Sequence, residues 1–267
     1  MRLRIAHTTV HRYDPPATGV IQVLRLTPRN HEGQSVIRWR IDVSADVRLA
    51  AHEDAFGNLI HVFTADGPFD TLAVEVDGEV ETENTNGVVR GAVERFPPPL
   101  FLRATALTHP DAAIRELAQE AGRPAAENTL DRLHAILQRL RDQCALSEDP
   151  VQPPRSAADA FASRRGAVGD LAQIFIAAAH CLDVPARFVA GNLCAAGAAG
   201  RDGAHAWAEA FVPDLGWVGF DPAHGVCPSD AYVRVAIGLD AVGAAPVRGT
   251  RYGAGAETLA VAIKVDQ

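Results

Sequence analysis

At 267 residues, with 48% hydrophobic and 22% charged side chains, the chain has ordinary globular composition and enough length for a sizeable core in one or two domains. A net charge of −8 excludes the basic footprint of a nucleic-acid-binding surface, and no stretch approaches the roughly 20 apolar residues that span a bilayer. The first residues, Met1 to His7, reach polar groups too early for a secretory leader, and the four cysteines show neither CxxC spacing nor a small disulfide framework. A reduced, cytoplasmic setting is expected.

Residues 1–95 read as strands and turns. Arg2–Ile5 and Val20–Leu26 show alternation or short apolar runs, and Arg38–Val43 alternates with period two. The arginines of this region (Arg2, Arg4, Arg12, Arg25, Arg29, Arg38, Arg40) interleave with apolar residues, the pattern of the wet face of strands. Turn chemistry at Asp54-Ala55-Phe56-Gly57-Asn58 precedes another strand or strand pair over Leu72–Val80. An antiparallel β-sandwich-like domain is the simplest packing for these runs.

Pro97-Pro98-Pro99 marks a break, and residues 96–267 read as a second domain. One helix is expected from about Thr108–Asp111 to Gly122. A second starts at Asn128-Thr129, with Leu130, Leu133, Leu137, Leu140 and Cys144 as its apolar stripe. A Pro-rich loop from Ser147 to Arg155 leads to Ser156–Ala162 and then to a helix from Val168 to about Leu182. Its stripe, Leu171, Ile174, Phe175, Ala178 and Leu182, predicts burial on one face. Strands follow at Ala186–Leu193, Ala204–Val212, Trp217–Phe220, Tyr232–Ile237 and Thr258–Val265, with an Ala/Gly-rich loop around Cys194–Gly203.

The chemistry gathers in three places: the helix start Gly166-Ala167-Val168-Gly169-Asp170, the strand His205-Ala206-Trp207-Ala208-Glu209, and Gly219-Phe220-Asp221-Pro222. A nucleophile at a helix start, then a histidine, then an aspartate is the chain order of a thiol triad. The helix N-terminus lowers the thiol pKa, the imidazole takes the proton, and the carboxylate orients the imidazole. Here the nucleophile position holds Val168, which has neither a proton to lose nor a lone pair.

These residues resemble the bacterial transglutaminase-like, cysteine-protease-like family. There a Gly-Val-Cys-Gln-Asp-Phe-Ala-His type run carries the nucleophile, a Ser-His-Ala-Trp-Ala-Glu run the base, and a Gly-Phe-Asp-Pro run the third member. Gly166, Asp170, Ala172, His205, Trp207, Glu209, Phe220, Asp221 and Pro222 match. Val168 replaces Cys, Gly169 replaces Gln, Gln173 replaces His, and Gly203-Ala204 replaces a small polar pair. Leu3–Thr9, Leu24–Arg29 and Asp54–Asn58 resemble the domain that precedes the core in that family.

The resemblance implies an α+β fold: an N-terminal antiparallel β-sandwich-like domain, then a papain/transglutaminase-like core with a central helix on an antiparallel sheet. It implies a degenerate triad of Val168, His205 and Asp221, with Gly169, Asp170, Trp207 and Gln173 lining the cleft. If the helix packs on the His205 face of its strand, the imidazole points at the helix start. No cofactor or metal is expected. His224-x-x-Cys227 together with His205 is a weak zinc pattern that lacks a second clear pair.

No other residue is an obvious replacement nucleophile. Cys181 lies about 20 Å from Val168 by helical rise and reads as core. Cys194 sits in or beside the Ala/Gly-rich loop without a helix start nearby, and Cys227 falls on the rim. The expected function is therefore a catalytically silent transglutaminase-like protein acting as a binding, scaffold or regulatory partner. Expected partners are a peptide or isopeptide-like ligand, a catalytically competent relative, or a second copy, with no nucleic acid and no membrane. The alternative is an amide-bond hydrolase or acyltransferase using a substitute nucleophile or an activated water.

Overall fold

The computed structural model describes residues 1–122, 128–147, 153–194 and 203–267. Most of the two loops expected at Ser147–Arg155 and Cys194–Gly203 lies outside them. In chain order the elements are β1 (Arg2–Thr27), β2 (Gln34–Val43), β3 (Ala50–Glu53), β4 (Leu59–Thr82), β5 (Val88–Val89) and a 3-10 turn at Pro98–Leu102. Then come α1 (Ala112–Ala121), α2 (Thr129–Gln143), β6 (Ala145–Leu146), α3 (Ala157–Ala162), β7 (Arg165–Gly166) and α4 (Val168–His180). The chain ends with β8 (Ala186–Leu193), β9 (Gly203–Val212), β10 (Gly216–Phe220), β11 (Tyr232–Gly238), β12 (Val247–Tyr252) and β13 (Ala256–Asp266).

The N-terminal region is one six-stranded antiparallel sheet built on two long strands, β1 and β4. β1 alternates almost throughout, with Leu3, Ile5, Tyr13, Ala17 and Leu24 buried and Arg2, Arg4 and Arg12 exposed, as period two requires. Its length lets one edge serve two partners: residues 4–14 pair with β13 and residues 19–24 with β12. Sheet membership thus crosses the boundary expected near residue 95. The last two strands return to the first sheet, and β5 joins the second through β10. An alternating strand announces its buried face but not its partner, which is why this return is invisible to periodicity.

The second sheet has the order β11-β8-β9-β10-β5, all antiparallel. α4 packs across β8 and β9, and α1, α2 and α3 pack against α4. Asp111 and Asn128 cap α1 and α2, accepting from Ile114 N and Asp131 N. The one-sided burial expected for α4 is corrected: every residue from Asp170 to Ala179 is buried. The sheet covers one side and three helices the other. The unbroken run Ile174-Phe175-Ile176-Ala177-Ala178-Ala179 suits a helix enclosed all round.

Two side-chain amides fasten the sheets together. Asn58 Nδ2 donates to Ile237 O and Asn58 Oδ1 accepts from Ile237 N, both at 2.8 Å. Gln34 does the same with Arg234 O (2.9 Å) and N (2.8 Å). Both amides are buried, and both imitate a neighbouring strand along the outer edge of β11. They satisfy backbone groups that would otherwise be an open sheet edge.

Candidate functional site

β9 presents two different faces. Ala206, Ala208, Ala210 and Val212 join the apolar cluster of the helices, whereas Trp207 belongs to a separate cluster with Phe101, Val189, Trp217 and Ile237. Pairing of β9 with β8 and β10 has no bulge, so period two holds along the strand. The small alanines therefore let α4 approach, and His205, Trp207 and Glu209 project from the other face. The condition under which the imidazole would point at the helix start, packing of the helix on the His205 face, is therefore not met by the body of α4. The reason is steric: alanine allows close helix–sheet contact and a row of His, Trp and Glu does not.

On that second face the polar residues are buried and densely bonded. His205 Nε2 lies 2.7 Å from Asp221 Oδ2, and the two residues are 7% and 0% exposed. His224 Nδ1, at 2.7 Å, and the Tyr232 hydroxyl, at 2.8 Å, reach the same oxygen. Asp221 Oδ1 accepts from Ala223 N at 2.9 Å and so shapes the turn that carries His224 back to the carboxylate. Burial alone would raise the Asp221 pKa, but hydrogen bonds from His205 and His224, and their charge, hold it well below the usual carboxylate range. An ionised carboxylate only accepts, so His205 carries its proton on Nε2, leaving Nδ1 as the nitrogen free to act as a base. Asp221 raises the His224 pKa by the same hydrogen bond, and burial raises that of Tyr232, which stays a neutral phenol.

Trp207 is 2% exposed and packs edge-on against Tyr232 with ring centroids 5.5 Å apart. Its indole occupies space that a side chain at Gly191 would claim, since a Cβ there would stand 2.6 Å from the ring. Glu209 is wholly buried between Arg187 (2.7 Å) and Arg234 (2.6 Å), and Arg187 also holds Glu94 through two bonds. The Arg187 guanidinium lies over Trp217, 3.8 Å from the ring centroid. Burial pushes the Glu209 pKa up, the two arginines outweigh it, and the result is about 2.

The helix start is built differently. Val168 is the first residue of α4, half-buried and packed against the helix-side core. Ala167 offers no side-chain acceptor, and Asp170 substitutes by accepting from Ala167 N at 3.1 Å. Asp170 also pairs with Arg155 at 3.0 Å. Gln173, wholly buried, donates to Arg155 O (2.8 Å) and accepts from Ala241 N (3.2 Å). The contacts of Asp170 and Gln173 are thus those of braces holding loops onto the helix. A Cβ at Gly169 would meet the Phe188 ring at an ordinary 3.5 Å.

Sequence reasoning brought His205 and Asp221 together correctly as neighbours, but it weighed His224 only in company with Cys227. Among the described residues, the titratable group with ligand atoms within 4.8 Å of one another is His205, Asp221 and His224, without Cys227. Tyr232, Arg187 and Arg234 were missed, because their convergence depends on which strands become neighbours. Cys194, expected in or beside the Ala/Gly-rich loop, is buried between the two sheets beside Leu3, Ile5 and Val265. Cys181 ends α4, its Sγ 3.3 Å from Ala177 O, and burial raises its pKa and that of Cys227.

Residues 3–81 match the model of the bacterial transglutaminase-like N-terminal region, and residues 115–222 match that of the transglutaminase-like superfamily. The chain joins a bacterial transglutaminase-like N-terminal domain to a transglutaminase-like core. It is 27% identical to an uncharacterized protein of Mycobacterium leprae, over 99% of this chain and 98% of that one. A candidate cysteine protease of Cytophaga hutchinsonii has the same fold, with a TM-score of 0.80 at 19% identity over 100% of this chain and 90% of that one. The periplasmic domain of TgpA from Pseudomonas aeruginosa is a more distant match, with a TM-score of 0.40 at 17% identity over 81% of this chain and 87% of that domain. In the transglutaminase-like core the central helix is α4 and the sheet beneath it is β11-β8-β9-β10-β5. No helix among the described residues is long and apolar enough to cross a membrane.

Proposed function

We propose that this transglutaminase-like protein is silent in thiol-based acyl transfer and works by binding, as a scaffold or regulatory partner. The observation that carries the reading is the pairing of a bonded His205–Asp221 dyad with valine at the first residue of the central helix. The dyad has a base nitrogen at Nδ1, but Val168 offers it no proton and no attacking atom. Losing a triad nucleophile leaves on the order of 10³–10⁴-fold acceleration over water, from binding and oxyanion stabilisation. The ligand would be a peptide or isopeptide-like chain, a catalytically competent relative or a second copy, met in the cytoplasm.

A substitute thiol is disfavoured by where the cysteines lie. Cys194 is sealed between the sheets, and Cys144, Cys181 and Cys227 have pKa values raised by burial. The test is labelling with a thiol-directed electrophile, followed by mass spectrometry, in the native protein and in Val168→Cys, each with and without His205→Ala. Native cysteines are expected to react slowly and independently of His205, and the introduced thiol to react at a rate that falls when His205 is removed. A native cysteine whose labelling collapses in His205→Ala, or turnover of an amide substrate by the native protein, would overturn the proposal.

A further inference from the structure

We infer that His205, Asp221 and His224 form a binding site for a divalent transition-metal ion, with the Tyr232 hydroxyl as a fourth oxygen donor. The inference goes beyond the binding role proposed above and rests on that reading only in taking His205 as free of a thiol partner.

Three separate segments deliver the donors: β9 brings His205, the turn after β10 brings Asp221 and His224, and β11 brings Tyr232. One ligand atom from each of His205, Asp221 and His224 lies within 4.8 Å of the others. Both imidazole nitrogens are 2.7 Å from Asp221 Oδ2, and the phenol oxygen is 2.8 Å away. Nitrogen and oxygen ligands sit about 2.0–2.2 Å from such an ion, so ligands at neighbouring tetrahedral positions stand roughly 3.3–3.6 Å apart. The rings would withdraw from the carboxylate oxygen by about 0.6–0.9 Å to admit it.

The donors are also held in place. The bond from Ala223 N to Asp221 Oδ1 and the bridge between Asp221 and Val226 set the turn. The rings of His205 and His224 lie 5.0 Å apart, and Tyr232 is wedged against both His205 (5.7 Å) and Trp207 (5.5 Å). A carboxylate oxygen ringed by three hydrogen-bond donors is a point where positive charge is already gathered; a dication would take the place of the two imidazole protons on the ligating nitrogens, while the Tyr232 phenol keeps its proton and offers an oxygen lone pair. The His224 side chain is 25% exposed while Asp221 is buried, so the turn offers a way in to an otherwise enclosed site.

Two imidazoles and one carboxylate select zinc, cobalt, nickel or ferrous iron over magnesium or calcium, which prefer all-oxygen shells. On binding, each histidine gives its ligating nitrogen to the ion and keeps or moves its proton to the other nitrogen, Nδ1 for His205 and Nε2 for His224. A thiol enzyme cannot lend its histidine in this way, because the ring must stay free to accept the thiol proton. With valine at position 168 that demand is absent, and the ring is available as a ligand.

The experiment is a titration of untagged, chelator-treated protein with Co²⁺, followed by visible d–d absorption and by competition with Zn²⁺. The native protein is expected to take up one equivalent and to melt at a higher temperature when loaded. His224→Asn keeps an N–H for Asp221 but is a poor ligand. It should bind Co²⁺ more than about 100-fold more weakly, beyond what losing an outer partner costs, while its metal-free form still melts cooperatively. His52→Asn, at an exposed position in β3, should leave binding intact. No saturable one-equivalent uptake by the native protein, or equal uptake by His224→Asn, would overturn the inference. Neither readout involves position 168, so failure here and failure of the silent-enzyme proposal are distinguishable.

Discussion

The start of α4 and the polar cluster of β9–β11 are built to different standards. On the strand side every polar group has a structural duty. Asp221 shapes its own turn and holds two histidines and a tyrosine, and Glu209 neutralises two enclosed arginines. On the helix side Val168 only contributes apolar contact at the edge of the core, and the N-cap N–H of α4 is already taken by Asp170. Position 168 can therefore change at little structural cost, whereas His205 and Asp221 cannot. The structural duties of His205 and Asp221 account for both residues without catalysis.

The comparison would break most visibly at Glu209. Glu209→Gln leaves Arg187 and Arg234 enclosed with one charge removed between them, and breaking such a buried pair costs about 3–5 kcal/mol. Chemical denaturation should show a large fall in midpoint. An unchanged midpoint would mean that the strand side tolerates substitution just as the helix side does.

Acidification separates the dyad from the rest of the molecule. Burial on the first sheet lowers the His7 pKa from 6.5 to about 4, so between those values the unfolded chain binds a proton that the folded chain refuses. Stability is complete above pH 6.5 and falls as the pH drops to 4, by about 3 kcal/mol for His7. His31, also lowered to about 4 by burial, acts in the same direction. Asp221 is depressed, so its contribution persists throughout that window and is lost only in stronger acid. His224 is raised and has the opposite sign, contributing below its unfolded pKa and losing that contribution as the pH rises through its folded value. Denaturation midpoints measured from pH 7 to 4 should fall in the native protein and fall less in His7→Gln.

Asn58→Ala tests the strap between the sheets. It leaves Ile237 N and O without partners at a buried edge, an expected loss of about 1–3 kcal/mol in equilibrium unfolding. At the opposite extreme, Val168→Cys should alter stability by less than about 1 kcal/mol, since volume and polarity barely change. A large loss there would show that the first turn of α4 resists substitution no less than the strand side.

Much of the core was readable in advance. The β8 segment has the expected bounds, β9 and β11 differ by one residue, and α4 starts at Val168 as the Arg164-Arg165-Gly166 turn predicts. Capping by Asp111 and Asn128 and the stripe of α2 are local facts, so local reasoning reached them. Period two placed His205, Trp207 and Glu209 on one face of β9. It could not say what lies over that face, and α4 proved to be on the other.

Residue chemistry and order alone determined that the helix start lacks a nucleophile, that a histidine and an aspartate follow in triad order, and where most elements run. These depend on covalent neighbours and on spacing along a single element. Only the tertiary structure decided that β12 and β13 return to the first sheet, that Arg187, Arg234 and Glu94 surround Glu209, and that His224 and Tyr232 share Asp221 with His205. Each of these is a meeting of segments far apart in the chain. The burial gained when whole sheets and helices pack decides such meetings, and no short run of residues encodes it.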